Sequence, residues 1–124
     1  MDYWEDLPDQ CPPVDSVDDA IALAYRLVFS DPASIEHFKS HAALGKPPLP
    51  SVDGCRWASC SLFTSKDAVA SIGRLPKMRA KGPHVAHVSI PQGSGKWKAS
   101  GNHVDLWMYA GFDPLSAVQL VEAL

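Results

Sequence analysis

The alternation within residues 84–109, HVAHVSIPQGSGKWKASGNHVDLWMY, constrains this chain more than any other feature. Successive side chains on a strand point to opposite faces, so a period of two sorts residues into an inner and an outer set. In the second half, Val104, Leu106 and Met108 share one face, while His103, Asp105, Trp107 and Tyr109 share the other. In the first half, Ala86, Val88 and Ile90 form an apolar set and Val85, His87 and Ser89 a mixed one. The pattern predicts strands near 83–90 and 103–110, with PQGSGKWKASGN between them as a flexible hairpin loop. If the apolar sets enter the core, His87, Ser89, His103, Asp105, Trp107 and Tyr109 gather on the opposite face.

The flanking segments predict helices around this hairpin. Residues 1–15 read as an irregular acidic arm, because Pro8, Pro12 and Pro13 oppose helix. Residues 16–30 carry a helical stripe of Val17, Ile21, Ala24 and Val28 after a Ser16/Asp19 start. The half AYRLVF is equally suited to a strand, and residues 24–29 stay open between the two. In SDPASIEHFKSHAALGK, Asp31 as cap, Pro32 in the first turn and Gly45 as stop predict a second helix. CRWASCSLF, residues 55–63, reads as a strand, and Thr64 with Asp67 as the start of a helix ending before Pro76. DPLSAVQLVEAL reads as a terminal helix. The expected fold is α+β, a small and mostly antiparallel sheet with three to four helices packed against it, residues 16–124 forming a single domain.

Charge and cysteines narrow the function classes. Seven acids and no Lys or Arg fall in residues 1–20, while the remainder has eleven bases against seven acids, a net of +4. Arg74, Lys77, Arg79 and Lys81 cluster within eight residues, but Pro76 and Gly82 interrupt them, so a solvated loop is expected rather than a nucleic-acid surface. No apolar run reaches membrane-span length, and the acidic start lacks the order of a secretory signal, so no membrane and a cytoplasmic location are expected. Cys11, Cys55 and Cys60 are odd in number and lack CxxC spacing, which makes buried free thiols the expectation over a disulfide or zinc.

The outer face of the hairpin carries the chemistry. Imidazoles, a carboxylate and two amphipathic aromatics can hold a planar ligand or a protein partner, and Asp105 can orient a histidine for acid–base work. Sharper motifs fail. HVSI followed by HVDL lacks the second Ser or Thr of paired His-x-Ser phosphoesterases. GSGK lacks the upstream Gly and the following Ser or Thr of a phosphate loop. His37 and His41 have helical metal spacing but no third ligand. No metal and no cofactor are expected.

YRLVFSDPASIEHFKSHAALGKPP, the Cys55…SLFTSKDA segment and HVDLWMYAGFDP resemble a group of short bacterial proteins with no assigned activity. The resemblance spans roughly residues 25–114 and implies a bacterial source. More distantly, Arg26 followed by the Ser59/Ser61 strand and a helix resembles the ADP-ribosyltransferase-like arrangement. That resemblance implies an NAD site held by Arg26 and the Ser strand, completed by a late Glu or Gln; Gln119 and Glu122 fall in the expected terminal helix instead.

Two functions follow. The first is a binding or accessory protein, joined to a protein partner or to its own copy through the aromatic–histidine face. The second is a small enzyme, or a degenerate ADP-ribosyltransferase-like domain, acting on a nucleotide-like ligand, with His87, His103 and Asp105 as acid–base groups and Arg26 on phosphate. The enzyme requires His87 and His103 to converge on a cleft, whereas the binding protein requires a flat face. Whether the chain is an enzyme stays open at this point.

Overall fold

A computed structural model describes residues 2–124. The chain builds one six-stranded antiparallel sheet in the order β4-β5-β2-β1-β3-β6. The strands are β1 (Ile21–Val28), β2 (Cys60–Phe63), β3 (His84–Ile90), β4 (Gly95–Ser100), β5 (His103–Met108) and β6 (Val118–Ala123). Three short helices accompany it: α1 (Gly54–Trp57), α2 (Lys66–Gly73) and α3 (Pro76–Arg79). The architecture is mixed α+β, with more sheet and less helix than the sequence predicts.

The hairpin alternation holds in space. Val88, Ile90, Val104, Leu106 and Met108 enter one buried cluster with Ala24, Val28, Leu62 and Phe38. All of these lie on one face of the sheet or are packed against it, so burying their apolar surface stabilises a single register. The predicted helix starting at Thr64 appears as α2, capped by Ser65, whose hydroxyl accepts the Ala68 N–H. α2 packs on β1 and β3 over the opposite face. Gly73 faces Leu27 of β1, with Pro83 and the end of the Leu124 side chain beside it.

Three expected helices are replaced for identifiable reasons. Residues 21–28 form β1, which sits between β2 and β3 and gains pairing along both edges. The helix expected after Asp31 shrinks to one 3-10 turn at Ile35–Phe38. Its continuation is pre-empted: the Arg26 guanidinium takes the carbonyls of His37 and Lys39, and the Glu5 carboxylate takes the Ser40 N–H. Those are the groups an α-helix would pair internally. The expected terminal helix becomes a 3-10 turn at Pro114–Ala117, capped by Asp113, followed by β6 along the edge of β3.

Two further expectations are corrected. The CRWASCSLF segment is a strand only from Cys60; its first half is α1, started by Asp53 accepting the Arg56 N–H. The predicted flexible loop 91–102 is a tight turn followed by β4, which pairs with β5 throughout. Gly95 is required there, since a Cβ would strike the Trp107 carbonyl.

The arm is tied down rather than loose. Cys11 and Cys55 form a disulfide, correcting the expectation of free thiols, whereas Cys60 is a buried free thiol. Val17 exchanges both backbone hydrogen bonds with Trp97 of β4, and Asp15 pairs with Lys98 at 2.9 Å. Asp15 of the arm therefore lies against β4, while Glu5 reaches Ser40. The basic segment lies beyond β3 and β6, where Arg74 and Arg79 line a cleft with Leu124. Among the described residues no helix is long and apolar enough to cross a membrane.

Candidate functional site

The outward residues of β5 are placed on the predicted face, but most of them are covered. Trp107 is 2 % exposed and its indole N–H donates to the Cys55 carbonyl at 2.9 Å. Tyr109 donates its hydroxyl to Asp18 at 2.9 Å, and burial together with that carboxylate pushes its pKa up to about 12. Asp105 is buried beneath Arg56 Nε and Ser59 Oγ, each at 3.2 Å. A buried carboxylate is tolerable when its lone pairs are answered in this way. These three side chains anchor the arm and α1, so their polar groups are already occupied.

The rest of this face carries a half-buried row built by register. β5 pairs with β2, β2 with β1 and β1 with β3, aligning His103 with Phe63, Phe63 with Tyr25 and Tyr25 with His87. The His103 and Phe63 rings meet at 5.3 Å and 69°, and those of Tyr25 and His87 at 4.9 Å and 67°. Edge-to-face pairs of this kind are worth about 0.5–1.5 kcal/mol beyond their buried area, so the row is pre-arranged. Leu120 continues it on β6 opposite His87 and is 51 % exposed. Leu23, on β1 two residues before Tyr25, is 50 % exposed beside it. Ser89 lies half-buried on the same face, two residues beyond His87.

The two histidines have different settings. His87 Nε2 is 2.6 Å from Glu122 Oε1, which Lys66 also reaches at 2.7 Å. Lys66, and after it His87, hold the Glu122 carboxyl below its ordinary value. His103 Nδ1 lies 3.3 Å from Asp105 Oδ1, yet this buried nitrogen makes no aligned hydrogen bond. Burial pulls its pKa down, against the attraction of Asp105 and with the help of Arg56. His103 is accordingly biased to the neutral ring, with its other nitrogen available as donor or acceptor according to tautomer.

The histidines do not converge. β1 and β2 stand between β3 and β5, and three strand spacings separate His87 from His103 by roughly 14 Å. Arg26 is on the core face, donating to the carbonyls of His37, Ser61 and Lys39 at 2.9, 2.7 and 3.4 Å. It is a structural clamp, each of its three guanidinium nitrogens held by a backbone carbonyl. Glu122 lies on the other face of the sheet from Arg26, so the NAD-holding set implied by the ADP-ribosyltransferase resemblance is not assembled. His37 and His41 also part: the His37 ring packs on Phe29, and the His41 ring stacks on Trp57 at 4.6 Å. Among the described residues no group of three His, Cys, Asp or Glu side chains is placed to hold a metal ion.

Two surface clefts lie elsewhere. One of about 430 Å³ is lined by Trp4, Glu5, Asp6, Lys39, Ala42 and Ala43, and one of about 250 Å³ is the Arg74/Arg79 cleft. Tyr25 and Phe63 are the members of the row that the sequence reading missed. Each sits in a run whose outward positions are visible, but cross-strand register brings them together, and register is a tertiary property. Comparison with protein-family models, curated proteins and solved structures finds no match to the chain.

Proposed function

We propose that this protein is a binding or accessory protein, without catalysis of its own, that engages a protein partner through the His103–Phe63–Tyr25–His87 row. The observation that carries the reading is the row itself: four half-buried rings aligned across four adjacent strands on the face where α2 also packs, with exposed Leu23 and Leu120 at its margin. Aromatic side chains flanked by exposed aliphatic ones suit a protein partner, and a small molecule needs a concave site. Pre-arranged rings also reduce the ordering cost of association. The separation of His87 from His103 and the internal use of Arg26 weigh against an acid–base enzyme on a nucleotide-like ligand.

The Cys11–Cys55 bridge also bears on location. Disulfides persist in oxidising surroundings, and this favours an oxidising compartment over the cytoplasm expected from the sequence.

The test is partner enrichment from extracts with wild-type chain as bait, alongside Leu23→Lys at the margin of the row and Ala99→Lys on β4, both exposed positions. A partner retained by wild type and Ala99→Lys but lost from Leu23→Lys is the expected result. Equal retention by all three baits rejects the row as the interface.

A further inference from the structure

The two edges of the sheet are treated differently. β4 is guarded: Val17 occupies its backbone groups at Trp97, the Trp97 indole donates to Asp19 O at 2.8 Å, and Lys98 carries a charge paired to Asp15. Charged residues and covering segments are the usual means of preventing strand addition. β6 lies at the opposite edge, paired on one side to β3. Its sequence VQLVEA holds no Lys, Arg or Pro, and among the described residues no segment covers its outer side.

The direction of its backbone groups can be worked out. The Leu124 N–H donates to Pro83 O across the β3 side. N–H and C=O alternate along a strand, so Leu120 and Glu122 turn their backbone groups to β3 while Val121 and Ala123 turn theirs outward. The outward set is a free hydrogen-bonding edge.

We infer that this edge is the dimer interface of the protein, β6 of one copy pairing antiparallel with β6 of a second copy about a twofold axis near Leu120. Three observations select a second copy as occupant. The guarded β4 edge blocks head-to-tail stacking, so addition at β6 closes as a twofold dimer instead of growing into a fibre. Setting Leu120 opposite Leu120 of the partner subunit buries a leucine that is half exposed in the monomer. It also faces Glu122 with an apolar strand position, so that no like charges are opposed. The basic segment sits beside Leu124 at the C-terminal end of β6, and antiparallel pairing sends the two basic segments to opposite ends of the interface. The dimer joins the aromatic rows of both copies into one continuous surface across a twelve-stranded sheet. The inference rests on the edge of the sheet and not on the binding function of its face, so each can fail without the other.

The experiment is sedimentation equilibrium on the full chain across micromolar to sub-millimolar concentrations, with hydrogen exchange of the Val121 amide, which the twofold sets opposite position 119 of the second copy, read by NMR. Wild type is expected to approach about twice the 13.4 kDa chain mass, with the Val121 amide more protected as concentration rises. Leu120→Lys is expected to sediment as a monomer with an unchanged circular-dichroism spectrum, and Ala99→Lys on the guarded edge to remain dimeric. A monomeric wild type overturns the inference, as does a Leu120→Lys variant that still dimerises. A Val121 amide that exchanges freely at every concentration overturns it even if Leu120→Lys does not fold.

Discussion

Reducing the Cys11–Cys55 bridge should lower stability by an amount the chain connectivity sets. The bridge closes a loop with a sequence separation of 44. Cross-linking a loop of that size removes ~13 cal/mol/K of unfolded-state entropy in the chain-entropy treatment, or about 4 kcal/mol at 25 °C. With an unfolding entropy of about 2.1 cal/mol/K per residue, that stabilisation corresponds to a Tm about 15 °C higher. The native fold should survive reduction, because the arm is also held by Asp18 on Tyr109 and the Gly93 N–H, by Glu5 on Ser40 and by Val17 on Trp97. Thermal unfolding with and without a thiol reductant reads the difference directly, and the Cys11→Ser/Cys55→Ser variant should reproduce the reduced wild type. Thiol titration checks the assignment independently: the oxidised chain should expose one thiol, that of Cys60, only on denaturation. A Tm unchanged by reductant, or three reactive thiols in the untreated protein, refutes the reasoning.

Other residues give further tests. Trp107→Ala removes a side chain that is 2 % exposed together with its hydrogen bond to the Cys55 carbonyl, so it should cost about 3–5 kcal/mol in urea unfolding; a loss below about 1 kcal/mol contradicts its burial. Gly95→Ala should prevent β4 from pairing with β5, since the new Cβ meets the Trp107 backbone, and its circular dichroism and thermal unfolding should show a partly folded chain. His103 has a folded pKa below its ordinary 6.5. Its contribution is therefore full above that value and is lost as pH falls through the lowered folded one. Thermal stability should drop on acidification from neutrality, and His103→Gln should flatten that drop; an equally steep profile in the variant contradicts it.

The sequence discloses those parts of the fold that local chemistry decides. β3, β5 and their inner faces follow from a strict period of two, and α2 from an apolar stripe behind a hydroxyl cap. β6 stays hidden because Val118 and Val121 fit a helix as well as a strand, and the edge of β3 decides between them. The 31–45 helix misleads because Arg26 and Glu5, distant in sequence, take the backbone groups it needs. In the same way the face of β5 is legible but its covering is not. Asp105, Trp107 and Tyr109 point where alternation puts them and are then sealed by α1 and the arm, leaving His87 and His103 with Tyr25 and Phe63 as the half-buried part.

The most direct test of the binding row is a titration of the protein with its enriched partner, followed through the aromatic ring resonances of Tyr25, Phe63, His87 and His103. The account predicts that these four shift or broaden together at stoichiometric partner. Changes confined to the Trp4/Lys39 groove or the Arg74/Arg79 cleft, with the four rings unmoved, contradict it.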